Sequence, residues 1–359
     1  MASNSLARRE TNRLAVAGLA ANQVASQHVF EDYQQRRSEN TLRRQGDDLA
    51  LFARYLTEIG VEPGDFQNDP EAWRGVTWGI VGGFVQWMLQ QGYAIGSINV
   101  RLSTVKTYAK LAVQAGTLET EQLALIRTVS GYRHKETLRV DAKRAKAGVA
   151  TRRGHKKAEA VTLTPEQVRA LKTQPDTPQG RRDALLMCLL LDHGLRCGEI
   201  AILRVEHFDL RAGVMRFYRP KVDKEQTHKL SADTLRAAMA YFALDAPESG
   251  PLLRGSIKGG ELDVVREIER TVRGKKQVYR TGHMSERAIT KRVEFLGRKI
   301  GVTGLSAHDG RHSWATRAAR NKTDPFALQE AGGWNSLAMP RRYVEDAKIA
   351  NEAVNLGND

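Results

Sequence analysis

Between Asn40 and Val129, apolar residues return at intervals of three and four, and glycine closes the longer runs. Leu42, Leu49, Phe52, Leu56 and Ile59 share one helical face, which Gly60 ends. Val81, Phe84, Val85, Met88 and Leu89 follow Thr77 and stop at Gly92. Leu102, Val105, Tyr108 and Leu111 lie between Ser97 and Gly116, and a shorter helix runs from Glu119 to about Val129. A helix this short is marginal in water, so its apolar stripe must find a partner. Four such stripes with glycine stops predict a compact helical module over residues 38–130. Residues 1–37 are rich in Ala, Gln and Arg with weak patterning, and read as a partly helical N-terminal extension.

The composition then changes. From Gly131 to Lys157 apolar residues thin out, while Arg133, Lys135, Arg139, Lys143, Arg144, Lys146, Arg152, Arg153, Lys156 and Lys157 accumulate. Residues 131–160 read as a basic interdomain linker, able to lie along a phosphate backbone. A second domain follows over 161–345. Thr164-Pro165-Glu166-Gln167 is a capping box with proline at the first helical position, a strong helix start. The run from Arg181 to His193 is apolar through its middle and predicts a buried helix capped by Gly194. Val214–Tyr218 and Gln226–Leu230 read as paired strands around a turn at Pro220–Glu225. Ser231 and Ser285 each stand before a helical pattern. Residues 250–282, rich in Gly and Lys, read as a loop region with at most one short helix. The expected fold is mainly α in two domains, the second carrying a small antiparallel sheet.

Charge narrows the partner. Lys plus Arg is 56 against 41 Asp plus Glu, a formal charge of +15. Such an excess favours a polyanion, because each neutralised phosphate releases counterions. Hydrophobic residues at 41% fit a globular chain rather than a disordered one. Cys188 and Cys197 cannot build a disulfide scaffold and fit a reducing compartment. The first residues lack an apolar signal core, and runs such as Ala184–Leu191 are too short to span a bilayer. A cytoplasmic, nucleoid-associated protein with no membrane partner is expected. No carboxylate cluster with magnesium spacing, Walker A loop or zinc pattern occurs, so no metal or nucleotide cofactor is expected.

The chemistry-bearing residues gather near the C-terminus. His308, Arg311 and His312 fall within five positions, Trp334 follows, and Tyr343 stands nine residues after it. A cationic group, an indole N–H and a phenol in a basic chain suggest phosphate chemistry with tyrosine as nucleophile. With Gly194-Leu195-Arg196-Cys197-Gly198-Glu199-Ile200 upstream and His308-Asp309-Gly310-Arg311-His312, Gly333-Trp334 and Tyr343 downstream, the second domain resembles the tyrosine recombinases, the phage integrase and Cre-like class. The resemblance rests on the joint order of these boxes over about 150 residues, and the first module is similar to that family's core-binding, SAM-like domain.

Metal-free cleavage of a phosphodiester needs cationic donors on the non-bridging oxygens of a pentavalent transition state. Planar, permanently charged guanidiniums serve this best. Arg196 and Arg311 are the candidates. Tyr343 would attack phosphorus and form a 3′-phosphotyrosyl link. Trp334, where many relatives carry histidine, would donate its indole N–H to a phosphate oxygen. His308 would take the tyrosyl proton. Glu199 and His312 would support the site from behind, Glu199 by orienting a basic group.

The resemblance further implies a lysine on a β-hairpin turn that protonates the leaving 5′ oxygen. Lys221 and Lys224 both qualify, and the family's hairpin places Lys221 there, although Pro220 and Val222 flank it where that pattern differs. It also implies a C-shaped clamp on double-stranded DNA with paired recombination sites, a homotetramer, and a Holliday junction, with an accessory DNA-bending or directionality factor as a further partner. A tail over 346–359, bearing Ile349, Ala350, Ala353 and Val354, would form a helix exchanged between protomers. Two alternatives are a type IB topoisomerase or telomere resolvase with the same chemistry, and a non-catalytic DNA-binding protein of this fold.

Overall fold

The computed structural model describes residues 2–153, 160–272 and 275–347. The chain divides into two compact units, 1–156 and 157–359, each with its own core. The first unit is helical: α1 Ala2–Gln35, α2 Glu39–Glu58, α3 Trp78–Gln90, α4 Ile95–Gln114, α5 Thr120–Thr128 and α6 His134–Lys146. The expected stripes meet in its centre, where Phe52, Val81, Phe84, Met88, Ile98, Val105, Tyr108 and Ile126 are fully buried. Trp73, on a short 3-10 turn between α2 and α3, completes this core. Its ring stacks on Phe52 at 6.2 Å, and its indole N–H donates to the Phe66 carbonyl at 3.0 Å. That bond removes the penalty of burying a polar ring edge.

Two stretches differ from the expectation. The N-terminal extension is one continuous helix whose last turns enter the core. Phe30 is buried, and Phe30 and Tyr33 both meet the Tyr108 ring edge-on. Further upstream, Leu14, Val16, Leu19 and Val24 remain exposed. The basic stretch carries α6, whose charged outer face hides a docked inner one. Arg144 is 7% exposed, pairs with Asp141 at 2.9 Å, and donates to the carbonyls of Tyr93 and Ala150. Through its two Nη groups the arginine behaves as an internal staple, while its buried Nε has no hydrogen-bond partner among the described residues. The 154–159 part of that stretch lies outside the described residues.

The second unit holds α7 Pro165–Lys172, α8 Pro178–Leu191 and α9 Cys197–Ala201. A three-stranded antiparallel sheet follows, with β1 Phe208–Asp209, β2 Val214–Arg219 and β3 Lys224–Lys229. Then come α10 Ala232–Leu244, a two-stranded sheet of β4 Arg266–Val272 and β5 Lys275–Thr281, α11 Glu286–Lys299, α12 Ala307–Arg320, α13 Pro325–Gly332 and α14 Ala338–Ala347. Helix α8 runs through the middle of the core, with every residue from Leu185 to Leu191 buried. Thr164 caps α7 as its motif requires, accepting from the Gln167 amide at 3.2 Å.

The β4–β5 pair replaces the loop expected over 250–282. Among the residues whose burial is described, none of the pair is buried, and the cross-strand partners Ile268 and Tyr279 are both exposed, so no apolar face there marks it in the sequence. Opposed charges hold the strands, with Glu267 2.9 Å from Arg280 and Glu269 3.7 Å from Lys276.

Candidate active site

The C-terminal end of α13 organises the site. Proline opens this helix and Gly333, in the left-handed conformation, ends it. The last carbonyls of a helix have no partner within it and carry the negative end of its dipole. Three arginines converge on them. Arg219 donates to the Ala331 carbonyl at 2.8 Å and the Gly332 carbonyl at 3.3 Å. Arg311 donates to the Gly332 carbonyl at 2.5 Å, and Arg196 to the Gly333 carbonyl at 3.2 Å.

Each arginine arrives by a different route. Arg196 sits at the N-cap of α9, reached through Gly194, whose φ is 59°. A Cβ at Gly194 would lie 2.2 Å from the Trp314 ring, so the close approach needs glycine. Arg311 lies one turn into α12 and also donates to the Gly194 carbonyl at 2.5 Å. Arg219 ends β2, where Met215, Phe217 and Arg219 alternate inward.

A single carboxylate joins two of the three cations. Glu199 Oε1 is 2.6 Å from Arg196 Nη1, while Oε2 accepts from Arg219 Nη1 and from the Arg196 backbone N–H, each at 2.8 Å. Glu199 is 3% exposed, Arg311 3% and Arg219 0%. Burial, then the nearby Arg196 and Arg219, press the Arg311 pKa down to about 9. Burial likewise lowers that of Arg219, against the opposing pull of Glu199. Three guanidiniums against one carboxylate leave two positive charges in excess, in a setting that solvates them poorly. Such a site is built to receive an anion, and guanidinium forks match phosphate oxygens.

The aromatic residues close one side. Arg311 lies over the Trp334 ring at 4.5 Å, and Trp334 stacks on Trp314 at 6.0 Å. Tyr343, on α14 three residues after Pro340, is buried at 3%. Its ring is 5.9 Å from Trp334 and 5.0 Å edge-on from His312, and its phenol is near enough to favour the charged form of Arg311.

The structure thus brings together Arg196, Glu199, Arg311, His312, Trp334 and Tyr343. His308 lies on the first turn of α12 and is exposed, while half-buried His312 is the histidine whose ring packs on Tyr343. Lys221 stands exposed on the β2–β3 turn, where Asp223 takes a positive φ. Lys224 opens β3, is also exposed, and lies 3.7 Å from Glu330.

Sequence reasoning missed Arg219 and its buried neighbour Gln226. The period-two phase set by Met215 and Phe217 was the available signal. Among the described residues, no group of three or more His, Cys, Asp or Glu is placed to hold a metal ion, and no helix is long and apolar enough to cross a membrane. The tail helix expected over 346–359 falls almost wholly outside the described residues.

The chain is similar to known recombinases and integrases. Tyrosine recombinase XerC of Myxococcus xanthus is 28% identical over 186 residues, 51% of this chain, which spans only 57% of that protein's length. Tyrosine recombinase XerD of Pasteurella multocida is 26% identical over 312 residues, covering 84% of this chain and 95% of that one. The fold is similar to that of a lambda integrase dimer bound to a COC′ core site, with TM-score 0.58 and 13% identity, over 95% of this chain and 83% of that chain. It is also similar to the Tn1549 transposon integrase in complex with transposon right end DNA, with TM-score 0.56 and 14% identity, over 89% and 94%. The phage integrase family model matches residues 161–349, more than half of the 359, and the chain belongs to that family.

Proposed function

We propose that this protein is a site-specific DNA recombinase that cuts and rejoins DNA strands through a 3′-phosphotyrosyl intermediate. The observation that carries this reading is the cluster of half-buried Arg196 with buried Arg219 and Arg311, the last beside the Tyr343 phenol, with Glu199 as the carboxylate that bridges Arg196 and Arg219. The guanidiniums of Arg196 and Arg311 would bind the non-bridging oxygens, most strongly once charge builds on them in the pentavalent state. Tyr343 Oη bonds to phosphorus as the bond to O5′ breaks. The phenolic proton passes to His308, and the leaving O5′ takes one from Lys221. Trp334 donates its indole N–H to a phosphate oxygen. Attack by the 5′ hydroxyl of a partner strand reverses these steps and completes the exchange. The phosphodiester energy is kept in the tyrosyl ester throughout.

The substrate in this reading is double-stranded DNA with paired sites, bound by four copies of the chain, and the +15 charge suits it. The test uses a library of nicked duplexes with randomised cores, which trap a covalent product because the short cut strand diffuses away. Wild-type protein should yield a detergent-resistant protein–DNA adduct on a subset of sequences. Tyr343→Phe should bind the same duplexes and form none. An adduct persisting in Tyr343→Phe would overturn the nucleophile and the reading with it.

A further inference from the structure

We propose that Arg219, which no motif marks, is a positioning residue of the active site: it shares Glu199 with Arg196 and so sets how much of the Arg196 charge faces the scissile phosphate. This rests on the recombinase reading above. Strand β2 sends Met215 and Phe217 into the apolar core, and in the next inward position places a fully buried guanidinium. Four hydrogen bonds occupy it, from Nη1 to Glu199 and Gly332, from Nη2 to Ala331, and from Nε to Gln226. Gln226 in turn donates to the Glu330 carbonyl at 2.6 Å. The hairpin that bears Lys221 is therefore stapled to three successive carbonyls at the end of α13. Trp334 leaves from that same end, and a Cβ at Gly333 would meet the Arg219 side chain at 2.6 Å.

Connectivity separates this residue from an ordinary staple. One guanidinium touches the carboxylate that orients Arg196 and the carbonyl that holds Arg311, and it ends the strand two residues before Lys221. A buried ion pair adds little net stability over an apolar substitute, so stability alone does not require a charge there. With Arg219 present, Glu199 Oε2 is committed to it and to the Arg196 backbone, leaving Oε1 for the Arg196 side chain. Without Arg219, the whole carboxylate charge falls on Arg196, and the excess over Glu199 drops from two charges to one.

The test compares Arg219→Met with wild type in three measurements. Duplex affinity should stay within ~3-fold, and the rate of Tyr343–DNA adduct formation should fall ~100-fold, the size seen when a preorganised cation or donor is lost. On a duplex with a methylphosphonate at the cut position, where one anionic oxygen is gone, the loss should shrink to below ~10-fold, because less charge needs stabilising. Orthovanadate, a mimic of the pentavalent centre, should quench wild-type tryptophan fluorescence through Trp334, and Arg219→Met should bind it at least ~10-fold more weakly.

The vanadate arm needs no cleavage, so it judges Arg219 even if wild-type protein forms no adduct and the recombinase reading falls. The β2–β3 hairpin hangs on this side chain, so a second variant separates folding from positioning: Arg219→Met combined with Gln226→Arg returns a guanidinium from the facing strand and should recover at least ~10-fold of the lost rate. Equal losses on phosphodiester and methylphosphonate, or vanadate binding unchanged, would overturn the proposal and leave Arg219 a structural staple.

Discussion

Replacing Glu199 with glutamine changes one buried charge and almost no volume. In the folded protein its two oxygens accept from Arg196 Nη1 at 2.6 Å and Arg219 Nη1 at 2.8 Å, and the side chain is 3% exposed. The amide retains one acceptor, but its NH₂ must face a guanidinium N–H, so a donor is left opposite a donor. Removing one partner from a buried ion pair costs about 3–5 kcal/mol, because the remaining charge stays buried without compensation. For a unit the size of residues 157–359, where 1 kcal/mol moves the midpoint by about 2–4 °C, the melting temperature should fall by about 6–20 °C.

The same substitution raises the excess charge of the cluster from two to three. Added sulfate or a short duplex should therefore raise the melting temperature of Glu199→Gln more than that of wild type. Calorimetry of both proteins with and without the anion measures the two effects together. A drop of less than about 2 °C, smaller than a 1 kcal/mol loss would give, or an equal anion response in both proteins, would refute Glu199 as the counter-charge of the cluster.

The hairpin lysines are separable by chemistry. Lys221→Ala should slow cleavage ~100-fold on ordinary DNA and recover when the bridging 5′ oxygen is replaced by sulfur, which leaves without a proton; Lys224→Ala should stay within ~3-fold. Recovery of Lys224→Ala alone in adduct assays would transfer the acid role to that residue. Gly333→Ala combines a left-handed backbone with a Cβ 2.6 Å from Arg219, and should cost about 2–4 kcal/mol in urea unfolding, whereas Gly301→Ala, left-handed but with open space, should cost about 1–2.

A pH dependence comes from His193, 5% exposed and bonded to Thr234, whose pKa burial holds down to about 4. The unfolded chain protonates this histidine near 6.5 and the folded chain does not. Stability is therefore full above that pH and falls as pH drops through it towards about 4. The His193 share of the loss is about 2 kcal/mol between pH 7.5 and 5; His228, whose pKa burial holds down to about 3, loses stability over the same window, and His193→Gln should remove only its own share from the urea midpoints.

The residues that sit in short contiguous boxes were legible in the chain. Arg196 with Glu199 and Arg311 with His312 are each placed by one turn of helix, and Trp334 is separated from Tyr343 only by the short link into α14, so local spacing already carries much of their geometry. The helical stripes of the first unit and the capping box at Thr164 were legible for the same reason, since hydrophobic period and cap chemistry act within a few residues. Elements whose described residues show no strong buried apolar stripe were not. Helix α6 shows its charged side to the reader and buries Arg144, and the β4–β5 pair keeps Ile268 and Tyr279 partly exposed on paired strands.

Arg219 is the clearest case. Strand alternation puts it in phase with Met215 and Phe217, but an arginine in a strand reads as solvent-facing unless its partners are known. Those partners, Glu199 and the carbonyls of Ala331 and Gly332, lie 20, 112 and 113 residues away in the chain. The sequence by itself determined which phosphate-compatible groups stand in contiguous boxes, Arg196, Arg311, Trp334 and Tyr343 among them. Only the tertiary structure decided that a third guanidinium joins them, because a helix end can collect cations from distant segments only once the chain has folded around it.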